Sequence, residues 1–380
     1  MLLLTAISAL FASLIIPPVV YYLWMKNKER SCWGLTIDEQ YRPKVSLIVA
    51  TYNEASVIRR KLENIQTLDY PEDNLQVLVV DSNSTDGTLS VCRAFLADEK
   101  SRFPIELVSE KERLGKSHAL NTALNYANGE IIATSDADSF WEEDSLRKAV
   151  SFFADPSVGA VTGREMLLNL EKSVHTMSEG IYRNFYYTLR LGESKVHSTL
   201  IFQGELSLYR RSSFERFEDR PGYSDDTGTV INMVSRGYRC IFVPDAIFHD
   251  TAAYSLSGRL MLKSRRAQHL IAGIMQSLRF KVSGKLLLPW PIVFFNFYLH
   301  ILSPLIVFSV LFASVATLIV YFQMIWFVPL LLITGLLTKK LRLFAVCYLT
   351  SNVALLMGLT KHLTRRTSKS WRKIEEMRTE

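Results

Sequence analysis

The stretch Val45-Ser46-Leu47-Ile48-Val49-Ala50-Thr51-Tyr52-Asn53-Glu54 decides how the chain is read. A short run rich in Val, Ile and Leu, preceded by Pro43 and closed by polar residues, has the length and composition of a strand buried on both faces. A helical stretch follows to about residue 66, and the alternation then repeats. Residues 75–80 read as a strand, 86–97 as a helix, 105–108 as a strand, 117–126 as a helix and 130–133 as a strand. Strands separated by crossover helices imply an α/β fold with a mostly parallel sheet. Ligands of such sheets collect beyond the carboxyl ends of the strands. Those ends carry Thr51-Tyr52-Asn53-Glu54, Asp81-Ser82-Asn83-Ser84-Thr85-Asp86-Gly87-Thr88 and Ser135-Asp136-Ala137-Asp138-Ser139, which together predict one polar cleft.

Outside this region the chain becomes apolar. It has 380 residues, of which 48% are hydrophobic and only 21% charged. That balance excludes a disordered chain and a small disulfide scaffold, and it is too apolar for an ordinary cytosolic enzyme. Residues 2–25 are long enough to cross a bilayer, with Pro17-Pro18 expected to kink or shorten the helix. Lys26, Lys28 and Arg30 follow at once, which by the positive-inside rule places that end in the cytosol. A second apolar zone covers residues 286–361, interrupted by Pro304, Phe322-Gln323 and Lys339-Lys340 with Arg342. Its first part, with Pro289, Trp290 and Pro291, reads as an interfacial or re-entrant helix, and an even number of crossings keeps the basic tail, 362–380, cytosolic. Residues 41–276 between the two zones have the composition of a water-soluble domain. The four cysteines are widely spaced, without a CxxC pair, and read as free thiols. The net charge of +7 lies largely beside the apolar runs, which suits anionic lipid rather than nucleic acid.

Several groups have the chemistry for catalysis. Asp136 and Asp138, two residues apart where the chain leaves a strand, suit a divalent cation shared with phosphate oxygens; such a pair also serves as a helix-capping loop. Asp81 suits hydrogen bonds from a nucleobase or ribose, or a capping role. Lys116, after Gly115, can reach a phosphate. Asp225 and Asp226 precede a helical segment, so one is a candidate general base and either is a candidate cap. Arg265 and Arg266 suit a diphosphate or an interfacial headgroup patch. No G-x-G-x-x-G or Walker loop occurs, which argues against dinucleotide or P-loop ATP chemistry. A transporter or a nucleotide-sensing receptor is the alternative from another class, disfavoured by the clustered carboxylates.

In order along the chain, Thr51-Tyr52-Asn53-Glu54, Val79-Val80-Asp81, Gly115-Lys116-Ser117-His118-Ala119-Leu120-Asn121 and Asp136-Ala137-Asp138-Ser139 resemble membrane-bound family-2 glycosyltransferases with the GT-A fold, the group of hyaluronan, chitin and cellulose synthases. The resemblance implies a Rossmann-like nucleotide-sugar domain flanked by transmembrane helices. It implies Thr51, Tyr52, Glu54, Asp81, Lys116 and Asp136 at the nucleotide-sugar, and Asp138 with Asp136 at Mg2+ or Mn2+. Asp226, beside Asp225, would be the base, and Gln203 and Gly204 would line the acceptor site. Gln268 and His269 stand near the place of the Gln-x-x-Arg-Trp motif, with His where the synthases have Trp, which argues against processive polymerisation. The implied activity is inverting, metal-dependent transfer of a sugar, from a UDP-sugar in the first instance, to a glycan or lipid-linked hydroxyl acceptor. A processive synthase and a polyprenyl-phosphate sugar transferase are the alternatives. The expected setting is the cell membrane with the catalytic domain cytosolic, membrane lipids as partners and no nucleic acid.

Overall fold

The computed structural model describes residues 2–98, 101–320 and 338–365. The soluble part is built on eight strands: β1 (Val45–Thr51), β2 (Leu75–Asp81), β3 (Ile105–Ser109), β4 (Ile131–Asp136), β5 (Phe140–Trp141), β6 (Val158–Leu167), β7 (Ser207–Arg210) and β8 (Arg239–Asp250). They form one sheet in the order β3-β2-β1-β4-β7-β6-β8-β5. The β3-β2-β1-β4 half is parallel, as the sequence predicts. Beyond it the sheet is mixed, because β7 runs antiparallel to both β4 and β6, while β6 and β8 are parallel. Register makes the cleft: Thr51 pairs with Asp81 and Ala50 with Asp136, so the ends of β1, β2 and β4 lie side by side.

The apolar strands are continuous because both faces are covered. Helices α2 (Ile58–Gln66), α3 (Thr88–Asp98) and α5 (Ser145–Val150) cover one face, where Leu47, Val49, Val77 and Val79 meet Leu62, Ile65, Phe95 and Leu146. Helices α4 (Lys116–Ala123) and α7 (Asp225–Ser235) cover the other, where Ile48, Leu78, Val80 and Ile132 meet Leu120, Val230 and Ile231. Alternate strand residues serve the two layers, as the two-residue period requires. Each fully buried aliphatic side chain contributes roughly 1.5–3 kcal/mol, and truncating one to alanine costs about 2–5 kcal/mol.

Three long helices pack around this core: α6 (Val174–Val196) against β8, α8 (Leu256–Val282) against α7, and α1 (Leu2–Glu29) against α6. Ser173 and Thr176 form a reciprocal capping box at the start of α6, and Ser255 caps α8 through Gly258 N. Helix α1 runs through both prolines and continues past residue 25, with Lys26 paired to Glu29 at 3.2 Å. Its hydropathy falls at Lys26, but lysine and glutamate are good helix formers. Helix α8 likewise extends beyond residue 276. Helix α9 (Trp290–Phe297), a π turn (Tyr298–Leu302) and α10 (Ser303–Val320) follow one another without a break, so the segment expected to be an interfacial or re-entrant helix leads directly into α10. The widened turn lies directly before Pro304, where a ring without an N–H would meet the preceding turn. The last helix among the described residues, α11 (Lys339–Leu363), crosses α8 closely: a Cβ on Gly358 would lie 2.8 Å from Ala267 Cβ.

Among the described residues, three helical stretches, Ser8–Glu29, Trp290–Val315 and Leu341–Leu363, are long and apolar enough to cross a membrane. The expected break at Phe322-Gln323 lies outside the described residues, as does most of the basic tail, and with them the expected even count of crossings. A polar knot ties these helices to the soluble part. Glu193 of α6 accepts from Tyr21 of α1 at 2.5 Å, from Asn296 of α9 at 2.8 Å and from Thr199 at 2.7 Å.

Candidate active site

A cavity of about 740 Å³ opens at the carboxyl edge of the sheet and reaches α6, α8 and Lys361 of α11. Eleven residues singled out from the sequence line it: Lys116, Asp136, Asp138, Gln203, Gly204, Asp225, Asp226, Arg265, Arg266, Gln268 and His269. They come from five places in the chain. Asp136 ends β4 and Asp138 lies in the turn after it, Lys116 opens α4, Asp225 and Asp226 open α7, Gln203 and Gly204 precede β7, and the last four lie on one stretch of α8.

Thr51, Tyr52, Glu54 and Asp81 are not among the lining residues; they form an adjoining cluster at the ends of β1 and β2. Thr51 Oγ1 donates to Asp81 Oδ1 at 3.3 Å, and Ser84 donates to Asp81 through both its N–H and its hydroxyl. Asn53 and Asn83 hold left-handed backbones, with φ of 54° and 58°, directly after these strands. Such conformations are costly and concentrate at functional turns. The Arg113 guanidinium lies 3.7 Å from the centre of the Tyr52 ring.

Within the cavity the central contact is an ion pair. Lys116 Nζ donates to Asp136 Oδ1 at 2.5 Å and stands 3.8 Å from Asp225 Oδ2. Burial alone would favour the neutral lysine, but Asp136, Asp225 and Glu205 outweigh it and raise its pKa above the ordinary value. Burial would likewise raise Asp136, yet Lys116, followed by Arg266 and Arg265, holds that carboxyl below the usual range. Asp225 goes the other way. Burial raises it, Lys116 opposes the rise, and the neighbouring Asp226 and Asp136 add to it, leaving the carboxyl at about 6. Gly204 makes room for this group: a Cβ there would lie 2.8 Å from Lys116 Nζ and 3.5 Å from Asp225 Oδ2.

Arg266, which also acts on Asp136, pairs with Glu205 at 2.8 Å. His269 is pushed down to about 4, by burial first and then by Arg265, so it is a neutral imidazole at pH 7. Asp250, Glu165, Arg183 and Arg190 are among the lining residues that were not singled out from the sequence. Asp250, the last residue of β8, is buried, and its carboxyl is raised well above the usual range by burial and then by Asp138 and Glu205. It stands at a strand end, the same signal that marked Asp81 and Asp136. Glu165 of β6 accepts from Arg183 of α6 and from Gln203 Nε2, while Arg190 NH1 donates to Gln203 Oε1 at 2.6 Å. No spacing in the sequence announces that network.

Among the described residues no group of three or more His, Cys, Asp or Glu side chains forms a ready-made metal site. A cation would therefore need oxygens from its ligand. Asp138 and the crowded Asp250 suit that arrangement: they are hard oxygen donors whose mutual repulsion a divalent ion relieves.

Residues 46–217 match the domain described as Glycosyl transferase family 2. Among solved structures, the mannosyltransferase PcManGT from Pyrobaculum calidifontis, in complex with GDP-Man and Mn2+, superposes with a TM-score of 0.80 at 35% identity. The alignment covers 96% of this chain and 99% of that one. The chain belongs to glycosyl transferase family 2. Among curated relatives it is 31% identical over 211 residues to the probable glycosyltransferase YdaM of Bacillus subtilis (strain 168), covering 54% of this chain and 50% of that protein. It is 37% identical over 137 residues to the beta-monoglucosyldiacylglycerol synthase of Nostoc sp. (strain PCC 7120), covering 36% of this chain and 29% of that protein. The matches thus span half or less of the length of these relatives.

Proposed function

We propose that the chain transfers a sugar from a nucleoside-diphosphate sugar to a hydroxyl of a membrane-associated acceptor, with inversion at the anomeric carbon. The observation that carries this reading is the cavity itself. It brings together Lys116, Asp136, Asp138, Arg265 and Arg266, the Asp225–Asp226 pair, and Lys361 of a membrane-length helix.

The donor's diphosphate faces Lys116 and the Arg265/Arg266 pair, whose charges are in place before the bond breaks and oppose the negative charge that develops. Asp138, with Asp250 behind it, would hold Mg2+ or Mn2+; when bound, the ion adds positive charge at the diphosphate. The bond between C1 of the sugar and the diphosphate oxygen breaks while the acceptor oxygen bonds C1 from the opposite face. The acceptor's proton passes to the carboxylate pair, to Asp226 with Asp225 as its neighbour, a contribution of roughly 10²–10⁴ in rate. An acceptor that is already an anionic phosphate needs no such base, which favours a hydroxyl. His269 in the place of a stacking tryptophan favours a single transfer over processive synthesis. The cell membrane is the proposed setting, with the soluble part cytosolic where nucleotide-sugars are made.

The test is nucleotide release and sugar transfer by the purified full-length chain with Mn2+. GDP-Man is the first donor to try, since the 35%-identical mannosyltransferase holds it, with UDP-sugars in parallel. Asp138→Ala retaining full activity, or no release from any donor, overturns the reading.

A further inference from the structure

The turn that carries Asp138 is gripped from behind by α2. Lys61 and Asn64 lie about one helical turn apart on that helix and both point at the segment directly after Asp138. Lys61 is only 1% exposed, and burial pushes its amine down to about 7 against the pull of Asp136 and Asp138; its Nζ donates to the carbonyl of Ser139 at 2.7 Å and lies 5.3 Å from the centre of the Trp141 ring. Asn64 makes a two-way contact with the next peptide but one. Its Nδ2 donates to Trp141 O at 2.8 Å, and its Oδ1 accepts from Trp141 N at 2.8 Å. Three backbone groups between residues 139 and 141 are thereby fixed by two side chains of one helix.

The grip continues into the cavity wall. Trp141 Nε1 donates to Glu205 O at 2.9 Å, and the Ser135 and Ser139 hydroxyls donate to the same carbonyl at 3.1 and 3.3 Å. The Asp136–Asp138 turn and the Gly204-Glu205 wall are therefore one rigid unit whose outer support is α2. A buried lysine is an expensive way to fill space, since methionine or leucine would pack there without desolvating a charge. Its placement makes sense if the hydrogen bond to Ser139 is what the site needs.

We propose that Lys61 and Asn64 are positioning residues that hold the Asp138 turn in the geometry required for a divalent cation and diphosphate, acting through the backbone of residues 139–141. The inference rests on the metal-dependent reading above. It also makes a prediction of unusual sign. By charge alone, deleting a cation near a metal site tightens binding of a dication; loss of a positioning bond loosens it.

The experiment measures free Mn2+ by electron paramagnetic resonance during titration of the full-length chain, with GDP and with UDP. Lys61→Met and Asn64→Ala are compared with the wild type. The expected result is a half-saturating Mn2+ concentration raised about threefold in Lys61→Met, which loses one hydrogen bond to the turn, and about tenfold in Asn64→Ala, which loses two. Metal-free nucleotide affinity is expected to stay within about twofold, a split that general loss of stability does not produce. Mn2+ binding by Lys61→Met that equals or exceeds the wild type overturns the proposal. Should that variant fail to fold, Asn64→Ala at a half-buried position decides, and unchanged Mn2+ binding there overturns it. A wild type that binds no Mn2+ with either nucleotide removes the metal-dependent reading and this inference together. A wild type that binds it, matched by both variants, removes only the inference.

Discussion

Replacing Lys116 by methionine removes the one ammonium that stands between Asp136 and Asp225, and the proton-accepting carboxylates are expected to report the loss. Lys116 Nζ is 3.8 Å from Asp225 Oδ2. Two unit charges at about that separation attract by roughly 4 kcal/mol at an effective dielectric of ~20, and by about 1 kcal/mol in bulk water. Asp225 already stands at about 6 with the lysine present. Without it, the ionised carboxylate loses its attraction and still feels Asp226 and Asp136, so its pKa moves up, by about one to three units. On the proposed mechanism the pair must be ionised to take a proton, so the acid limb of kcat should move from near pH 6 to roughly pH 7–9. The assay is nucleotide release at saturating donor across pH 4.5 to 9.5, with Lys116→Arg as the charge-preserving control. A limb that stays within about 0.3 of a pH unit of the wild type, or moves down, refutes the reasoning.

Asp226→Asn should lower turnover by about 10²–10⁴ and leave nucleotide affinity within about twofold, measured by calorimetry; equal loss of both would mark Asp226 as structural. EDTA should abolish release and added Mn2+ restore it, and full turnover in chelator would remove the metal. Gly204→Ala pushes a methyl group against Lys116 and should raise the donor KM about tenfold, ~1.4 kcal/mol, with less effect on the acceptor KM. Asp225 is raised in the folded chain from 3.8 to about 6, so its stabilising contribution is complete below pH 4 and lost as the pH rises through 6. Asp225→Asn should therefore raise Tm at pH 8 relative to wild type and not at pH 4; an equal change at both would contradict the burial of that charge.

The parallel half of the sheet was legible because its strands are short apolar runs closed by polar loops, and each was placed to within a few residues. The mixed half was not. Strand β6 runs through Thr162-Gly163-Arg164-Glu165, where residues that serve the cavity wall interrupt the apolar pattern. Strand β8 contains Pro244-Asp245, a pair that argues against a strand by local rules, yet it keeps pairing with β6 through a shift in register. Helix α6 places Arg183 and Arg190 inside the molecule, so its polarity marks a lined cavity rather than a solvated face. The donor-side residues follow from strand ends, whereas Glu165, Arg183 and Arg190 owe their meeting to tertiary packing.

The reversal of strand direction between β4 and β7 divides labour as well as topology. On the proposed mechanism the residues that meet the donor follow the parallel strands and are joined by Arg265 and Arg266 of α8, whereas the incoming molecule faces β6 and α6 across the seam. Substitutions on the second side can redirect what becomes decorated without rebuilding the apparatus that loosens the sugar. Exchange of β6 and α6 between relatives is thus the natural route by which such a chain acquires a new recipient.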